Sequence, residues 1–273
     1  MNCNSIPAID VHGHYGRYIR NGDESFRDTL SSGDAGEVVR RAREINISLT
    51  IVSPLAALLP RPSGNAIAGN IEAARVVAET PGLKQYVVID PRRIESFDQA
   101  DSMLAQPQCV GIKIPPEEHA YPIGEHAEVI FTFAAERRAI ILTHSGEQNS
   151  LPGDFIPWTD RFPEVRLILA HIGCGWDGDL THQVRAMQQS RCGNIYADTS
   201  SAQSITPGLI EWAVGEVGAD RVLFGTDTPL YHAAMQRARI EHADITEDAK
   251  RLILRENALK LFGLGQELAN TAS

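Results

Sequence analysis

Short β-branched runs alternate with longer stretches of helical periodicity along nearly the whole chain. The runs at 8–12, 49–53, 85–90, 110–114, 139–143, 166–170, 195–198 and 222–225 are too short for helices and too continuously apolar for strands with one wet face. They predict strands buried on both sides. Between them, 71–78 keeps its apolar residues on one face, and in 125–137 Val129, Ile130, Phe133 and Ala134 recur at helical spacing. Thr246, followed by Glu247 and Asp248, predicts a helix start with acidic groups at the positive end of the dipole. Strict alternation of this kind predicts a parallel sheet, and eight such units can close into a barrel. No linker or shift of composition divides 1–273, so one domain is expected, with the Pro/Gly-rich stretch 60–64 as a loop on the working face.

Composition agrees with that picture and narrows the partners. At 273 residues and 43% hydrophobic, the chain can bury the core of one large α/β barrel. A net charge of −10 with no concentrated stripe of Lys or Arg argues against nucleic acid. The four cysteines show no close pairing, the first residues lack a basic-then-apolar leader, and no apolar run approaches the roughly 20 residues that span a bilayer. A soluble protein of the reducing cytoplasm, without membrane contact, is therefore expected; homo-oligomerisation is left open.

The ends of the strands carry the chemistry. His12 and His14 close the first run, and alternate residues of a strand point the same way, so both imidazoles can face one cavity. That spacing suits a divalent metal, with a solvated loop pair as the alternative. The fourth run carries Lys113, the fifth ends in Thr143-His144-Ser145-Gly146, the sixth in Ala170-His171-Ile172-Gly173, and the eighth in Phe224-Gly225-Thr226-Asp227-Thr228-Pro229. Each residue alone has an ordinary reading as a hydrogen-bonded loop group. Their recurrence at the same end of five units is accounted for together by a single metal centre. Asp10 reads either as an acceptor for an imidazole N–H or as a holder of backbone amides, and Asp198 as an orderer of the site or a loop cap. Arg17, Arg20 and Arg61 are placed to reach a substrate carboxylate, with solvated surface arginines as the alternative.

These motifs, with Gly111-Ile112-Lys113 and the closing Glu256-Asn257-Ala258-Leu259-Lys260-Leu261-Phe262, resemble the amidohydrolase superfamily. Within it the resemblance is to the amidohydrolase-related branch that also contains aminocarboxymuconate semialdehyde decarboxylase and the resorcylate decarboxylases. It implies a distorted (β/α)8 TIM barrel in which His12, His14, His144 and Asp227 hold one divalent ion, commonly zinc, with manganese as the other choice. His171 stands beside the ion as acid/base or substrate contact, its alternative role being to hold a loop. Lys113 occupies the place of a carbamylated ligand that bridges a second metal in binuclear relatives; in this branch it is often an ordinary amine that can face substrate. Cys174 reads as a structural thiol before a soft ligand.

Three imidazoles and one carboxylate leave a divalent ion a formal charge of about +1, enough to lower the pKa of a bound water from about 15.7 to about 7. The leading expectation is thus a metal-dependent hydrolase of a small organic acid, amide or lactone, with Asp227 and His171 carrying protons. The alternative is non-oxidative decarboxylation of a carboxylated aromatic or muconate-like substrate on the same centre. A metal-dependent deoxyribonuclease fits the acidic charge poorly, and a non-enzymatic scaffold would predict a broken ligand set.

Overall fold

The computed structural model describes residues 5–265, which leaves Cys3 outside the described residues. Eight strands, β1 (Ala8–Tyr15), β2 (Ile47–Pro54), β3 (Leu83–Val88), β4 (Cys109–Ile114), β5 (Ile140–Thr143), β6 (Arg166–Leu169), β7 (Ile195–Asp198) and β8 (Val222–Leu223), form one sheet in chain order. All seven neighbouring pairs are parallel. The seam between β8 and β1 closes through the segment just after β8: Val11 N–H donates to Phe224 O at 2.9 Å, and Gly13 bridges Thr228. This is the expected distorted (β/α)8 barrel.

Only β7 keeps its sequence-based bounds; β2 to β6 shift by one or two residues at their ends, and the two differences that bear on the site lie at the seam. β1 continues past His12 to Tyr15, and its register against β2 shifts between Asp10 and Gly13, an irregularity of the kind that re-aims side chains. β8 keeps only two residues. Phe224 N–H is turned to Ile253 O at 3.1 Å in the π-helical turn Leu252–Glu256, and Gly225 passes close to the site. A Cβ on Gly225 would lie 3.0 Å from Asp198 Cγ and 3.1 Å from His12 Cβ, so any side chain there would press on two residues of the site.

The helices follow their caps. Thr246 Oγ1 accepts from Ala249 N–H at 3.2 Å, as its place in the sequence predicts. The helix expected over 71–78 spans Ala66–Glu79, because Asn65 caps it by accepting from Ala68 N–H. The helix expected over 125–137 starts two residues earlier, at Ile123–Arg137. One apolar cluster joins Ile9, Leu49, Tyr86, Leu142 and Ile168 to Ala258 and Leu261 of the closing helix Asn257–Phe262. A larger one packs Ile112, Ile114, Leu167 and Leu169 against helical Phe97, Ile130 and Phe131. Each such side chain, fully buried, contributes about 1.5–3 kcal/mol, and together they fix the strand ends on which the polar residues stand. Cys109, Cys174 and Cys192 are free. Among the described residues no helix is long and apolar enough to cross a membrane.

Candidate metal centre and pocket

At the C-terminal ends of the strands, His12, His14 and Asp227 bring one ligand atom each within 4.8 Å of one another, all buried. His14 Nε2 lies 3.0 Å and His12 Nε2 3.7 Å from Asp227 Oδ1. The opposite ring nitrogens are both committed as donors: His12 Nδ1–H to Asp198 Oδ2 and His14 Nδ1–H to Ser53 O, each at 2.9 Å. Those bonds set the tautomers, so two imidazole lone pairs and a carboxylate oxygen converge on one point. Such a point calls for a cation.

The supports are specific. Asp10 accepts from the backbone N–H groups of His12 and Thr226, both at 3.1 Å, and from Thr226 Oγ1 at 2.6 Å, so it holds amides and not an imidazole. Asp198 combines the two roles open to it, receiving His12 Nδ1–H and also the backbone N–H groups of His171 and Ser200 at 3.0 Å. Ser200 Oγ, hydrogen-bonded to Asp198, lies 2.8 Å from His171 Nδ1 and 3.0 Å from His12 Nδ1. Gln183 ties the loops after β5 and β6: its Nε2 donates to Cys174 O at 2.8 Å and to Ser145 Oγ at 3.3 Å. His171 and Asp227 both sit at positive φ, +72° and +56°, a left-handed conformation costly for residues other than glycine and characteristic of functional sites.

His144 stands outside the tight trio but in the same pocket, its ring 4.9 Å from that of His171, which is itself 5.0 Å from the ring of His12. Its Nε2 is buried with no hydrogen-bond partner. An orphaned imidazole nitrogen in the same pocket is a donor with capacity to spare for a ligand, while the set that fits a divalent cation as it stands is His12, His14 and Asp227. Lys113, 2% exposed, places Nζ 3.2 Å from His12 Nε2.

Burial governs the electrostatics. It drives His171 down to about 3 and, with the neighbouring Lys113, holds His12 well below the usual imidazole range, so both rings are neutral. Lys113 is lowered by the same desolvation, against the opposing pull of Glu118, Asp227 and Asp198. For Asp227 burial works against ionisation, yet its contact with His14 and the nearby His12 and His171 bring its pKa below the ordinary carboxylate value. Glu118 is likewise ionised against its burial, by His144, Arg61 and Lys113.

Above these groups lies a cavity of about 220 Å³, walled by Leu55, Leu58, Leu59 and Leu230, with Tyr18 and Tyr231 alongside. The three arginines separate here. Arg20 lines the cavity and has no carboxylate within ion-pair distance among the described residues. Arg61 also lines it, but is already paired with Glu118 at 2.8 Å and Glu147 at 3.4 Å. Arg17, expected with them, does not line the cavity: its side chain is 70% exposed and held in solvent by its pair with Glu24. Cys174 lines the cavity too, its thiol pushed up to about 11 by burial, which keeps it protonated. Glu118, Ser200, Ser53 and Gln183 were not singled out in the sequence. The one available signal was for Glu118, which comes two residues after the Pro115-Pro116 turn at the end of β4.

A family model described as Amidohydrolase matches residues 63–264, most of the chain. The chain belongs to the amidohydrolase family. The match begins after β1, so the His12/His14 pair stands on the geometry above and not on that match. Among solved structures, the chain is similar to 5-carboxyvanillate decarboxylase from Sphingomonas paucimobilis at a TM-score of 0.73 and 15% identity, covering 95% of this chain and 99% of that one. It is similar to a dihydroxybenzoic acid decarboxylase from Polaromonas sp. JS666, solved with manganese and the inhibitor 2-nitroresorcinol, at 0.72 and 17%, covering 94% and 97%. A putative amidohydrolase from Staphylococcus aureus gives 0.70 and 14%, covering 94% and 99%. At such identities the likeness establishes a shared barrel for this amidohydrolase-family chain.

Proposed function

We propose that this chain is a metal-dependent, non-oxidative decarboxylase of a small carboxylated aromatic or muconate-like acid. The observation that carries the reading is the composition of the cavity: a cation-demanding floor, a wall of four leucines, and the unpaired guanidinium of Arg20. At about 220 Å³ it is smaller than the roughly 300–1,000 Å³ of pockets for drug-sized ligands, which suits a single ring. Two of the structures named above are decarboxylases of ring acids, and the manganese in one supports a divalent ion without choosing zinc. Hydrolysis, ranked first from the ligand set alone, falls to second place because the ligands serve both reactions while the walls favour loss of a carboxylate as neutral CO₂.

His12, His14, His144 and Asp227 would hold the ion. When bound, it supplies positive charge against which the oxygens of an organic acid are held and electron density is offset. Arg20 would bind the carboxylate, and the leucines exclude the water that would otherwise stabilise it. The bond between ring carbon and carboxyl carbon breaks, the electron pair stays on the ring carbon, and a proton is delivered there. His171 is the proposed relay for that proton: Ser200 engages its Nδ1, and the neutral Nε2 would take a proton from a water and pass it to the ring carbon, with the Asp227 carboxylate within electrostatic reach. Lys113, beside His12, is a further contact for substrate oxygen.

The test is to reconstitute the protein with manganese or zinc and offer single-ring acids alongside esters, lactones and amides. Release of CO₂ with deuterium appearing at the vacated ring carbon in heavy water is expected. Cleavage of the esters, lactones or amides with no CO₂ from any acid would overturn the reading in favour of hydrolysis.

A further inference from the structure

His12, His171 and Asp198 form a second buried grouping, with one possible ligand atom from each within 4.8 Å of the others. A hydroxyl already reaches all three. Ser200 Oγ is hydrogen-bonded to Asp198 Oδ1 and lies 2.8 Å from His171 Nδ1 and 3.0 Å from His12 Nδ1, and both Ser200 and Asp198 are fully buried. A serine hydroxyl has one hydrogen and two lone pairs, so three partners use it up. Which partner takes the hydrogen decides how His171 is protonated.

The count leaves one solution. His12 Nδ1–H is fixed as a donor by Asp198 Oδ2 at 2.9 Å, and it is shared with Ser200 Oγ. Asp198 Oδ1 accepts the backbone N–H groups of His171 and Ser200, both at 3.0 Å, so a carboxylate collecting three N–H donors meets the hydroxyl as an acceptor. Were the hydroxyl to give its hydrogen to His171, two buried oxygens would face each other with nothing between them. The hydrogen therefore lies toward Asp198, where the bond is charge-assisted. The lone pair left over accepts from His171, whose Nδ1 must then carry a hydrogen.

We propose that Ser200 is a positioning residue whose hydroxyl fixes His171 in the Nδ1–H tautomer, leaving Nε2 as a bare lone pair in the cavity wall. The decarboxylase reading above enters only in giving that lone pair a task. In each turnover Nε2 gains one proton and gives it up while Nδ1 keeps its own, so the ring returns to the tautomer it started from. During the interval the positive ring is joined through the Ser200 O–H to Asp198, and bonds in such a chain strengthen one another. One carboxylate thus steadies the metal-side imidazole of His12 directly and the proton-carrying imidazole of His171 through a hydroxyl.

The experiment is long-range proton–nitrogen NMR on protein labelled with ¹⁵N-histidine and loaded with zinc, which is diamagnetic; His171 is assigned by its absence from the spectrum of His171→Gln. The unaltered protein at neutral pH is expected to show His171 protonated at Nδ1 and bare at Nε2, a reading that needs no variant of Ser200. The metal-free protein should show the same, since no metal atom belongs to the three bonds of the hydroxyl. Ser200→Ala removes the hydroxyl and keeps the backbone N–H on Asp198, so the loop retains that anchor. Bound zinc should stay near about one equivalent per chain, while His171 goes over to the Nε2–H tautomer. Turnover of a ring acid should fall about tenfold or more with the Michaelis constant changed less than about twofold, the mark of a proton-transfer defect and not of lost binding. An Nε2–H His171 in the unaltered protein, or an Nδ1–H His171 in folded Ser200→Ala, would overturn the inference. If that happens while CO₂ is still released, the decarboxylase reading survives; the expected tautomers without CO₂ from any acid remove that reading and keep the role of Ser200.

Discussion

The two sides of the cavity are built on opposite terms. On the β1–β7–β8 side, His12, His14, Asp198 and Ser200 have their outward-facing polar atoms engaged at ordinary hydrogen-bond distances, and the inward-facing Nε2 atoms of the two imidazoles, that of His12 also 3.2 Å from Lys113 Nζ, converge on Asp227. On the β2–β4–β5 side, Arg61 Nε, Glu118 Oε2 and His144 Nε2 are buried without hydrogen-bond partners among the described residues, and Arg20, from the loop after β1, lines the same cavity with no carboxylate at ion-pair distance among those residues. The first side is finished apart from one cation, so its geometry is set before anything binds. The second is completed only by what enters. The lesson is that unsatisfied groups mark where a ligand must supply the missing half, whereas saturated ones mark what holds the chemistry still.

The comparison breaks most readily at the metal side. Replacing both His12 and His14 by Ala should reduce bound metal from about one equivalent per chain to a trace by elemental analysis, since only half of the proposed ligands remain. Full occupancy in that double variant would mean that the convergent lone pairs are not a metal site. Next in size is Asp198→Asn, which weakens the acceptor that orients His12 without removing any ligand. Metal affinity, measured by competition with a chelator, should fall about ten- to a hundredfold, the usual scale for such a supporting bond; an unchanged affinity would reduce Asp198 to a loop cap. The smallest effect sharpens the ligand side. Arg20→Ala should raise the Michaelis constant for an acid substrate about tenfold, as expected for losing one charged hydrogen bond, while Arg17→Ala changes it less than about twofold because its exposed pair with Glu24 is screened by solvent. The reverse order of the two arginines would place the carboxylate on the wrong loop.

Much of the metal side was legible before any coordinates, and little of the ligand side was. Strands buried on both faces announce themselves as short apolar runs, and in a barrel their ends are neighbours whatever the loops do, so His12, His14, His144, His171 and Asp227 could be grouped by register alone. The supports of that group were half visible: Asp198 ends a predicted strand, but Ser53 reaches His14 Nδ1 chiefly through its backbone carbonyl at 2.9 Å, with its hydroxyl at 3.2 Å, and a carbonyl carries no sequence signal. Arg17 and Arg20 lie in one loop, and choosing between them requires the path of the chain after β1, which no periodicity encodes. Glu118 was missed for the same reason, as it sits after two prolines where side-chain direction follows the turn and not a repeat. The shortness of β8 escaped as well, because 222–225 reads as a strand until Gly225 is found squeezed between His12 and Asp198.

The seam between β1 and the segment after β8 has a consequence for how the chain stays closed. Few backbone hydrogen bonds join the first strand to the last, and β8 itself contributes only two residues. His12 and His14 stand on one side of that joint and Asp227 on the other, so holding one ion in common ties together segments that lie nearly a whole chain apart. Such a cross-link removes the largest loop the unfolded chain could explore, in the manner of a long-range disulfide, and it binds the closed form alone. The same three side chains would thus act as the clasp of the barrel, and withdrawing the ion would first loosen the joint where the two ends of the fold meet.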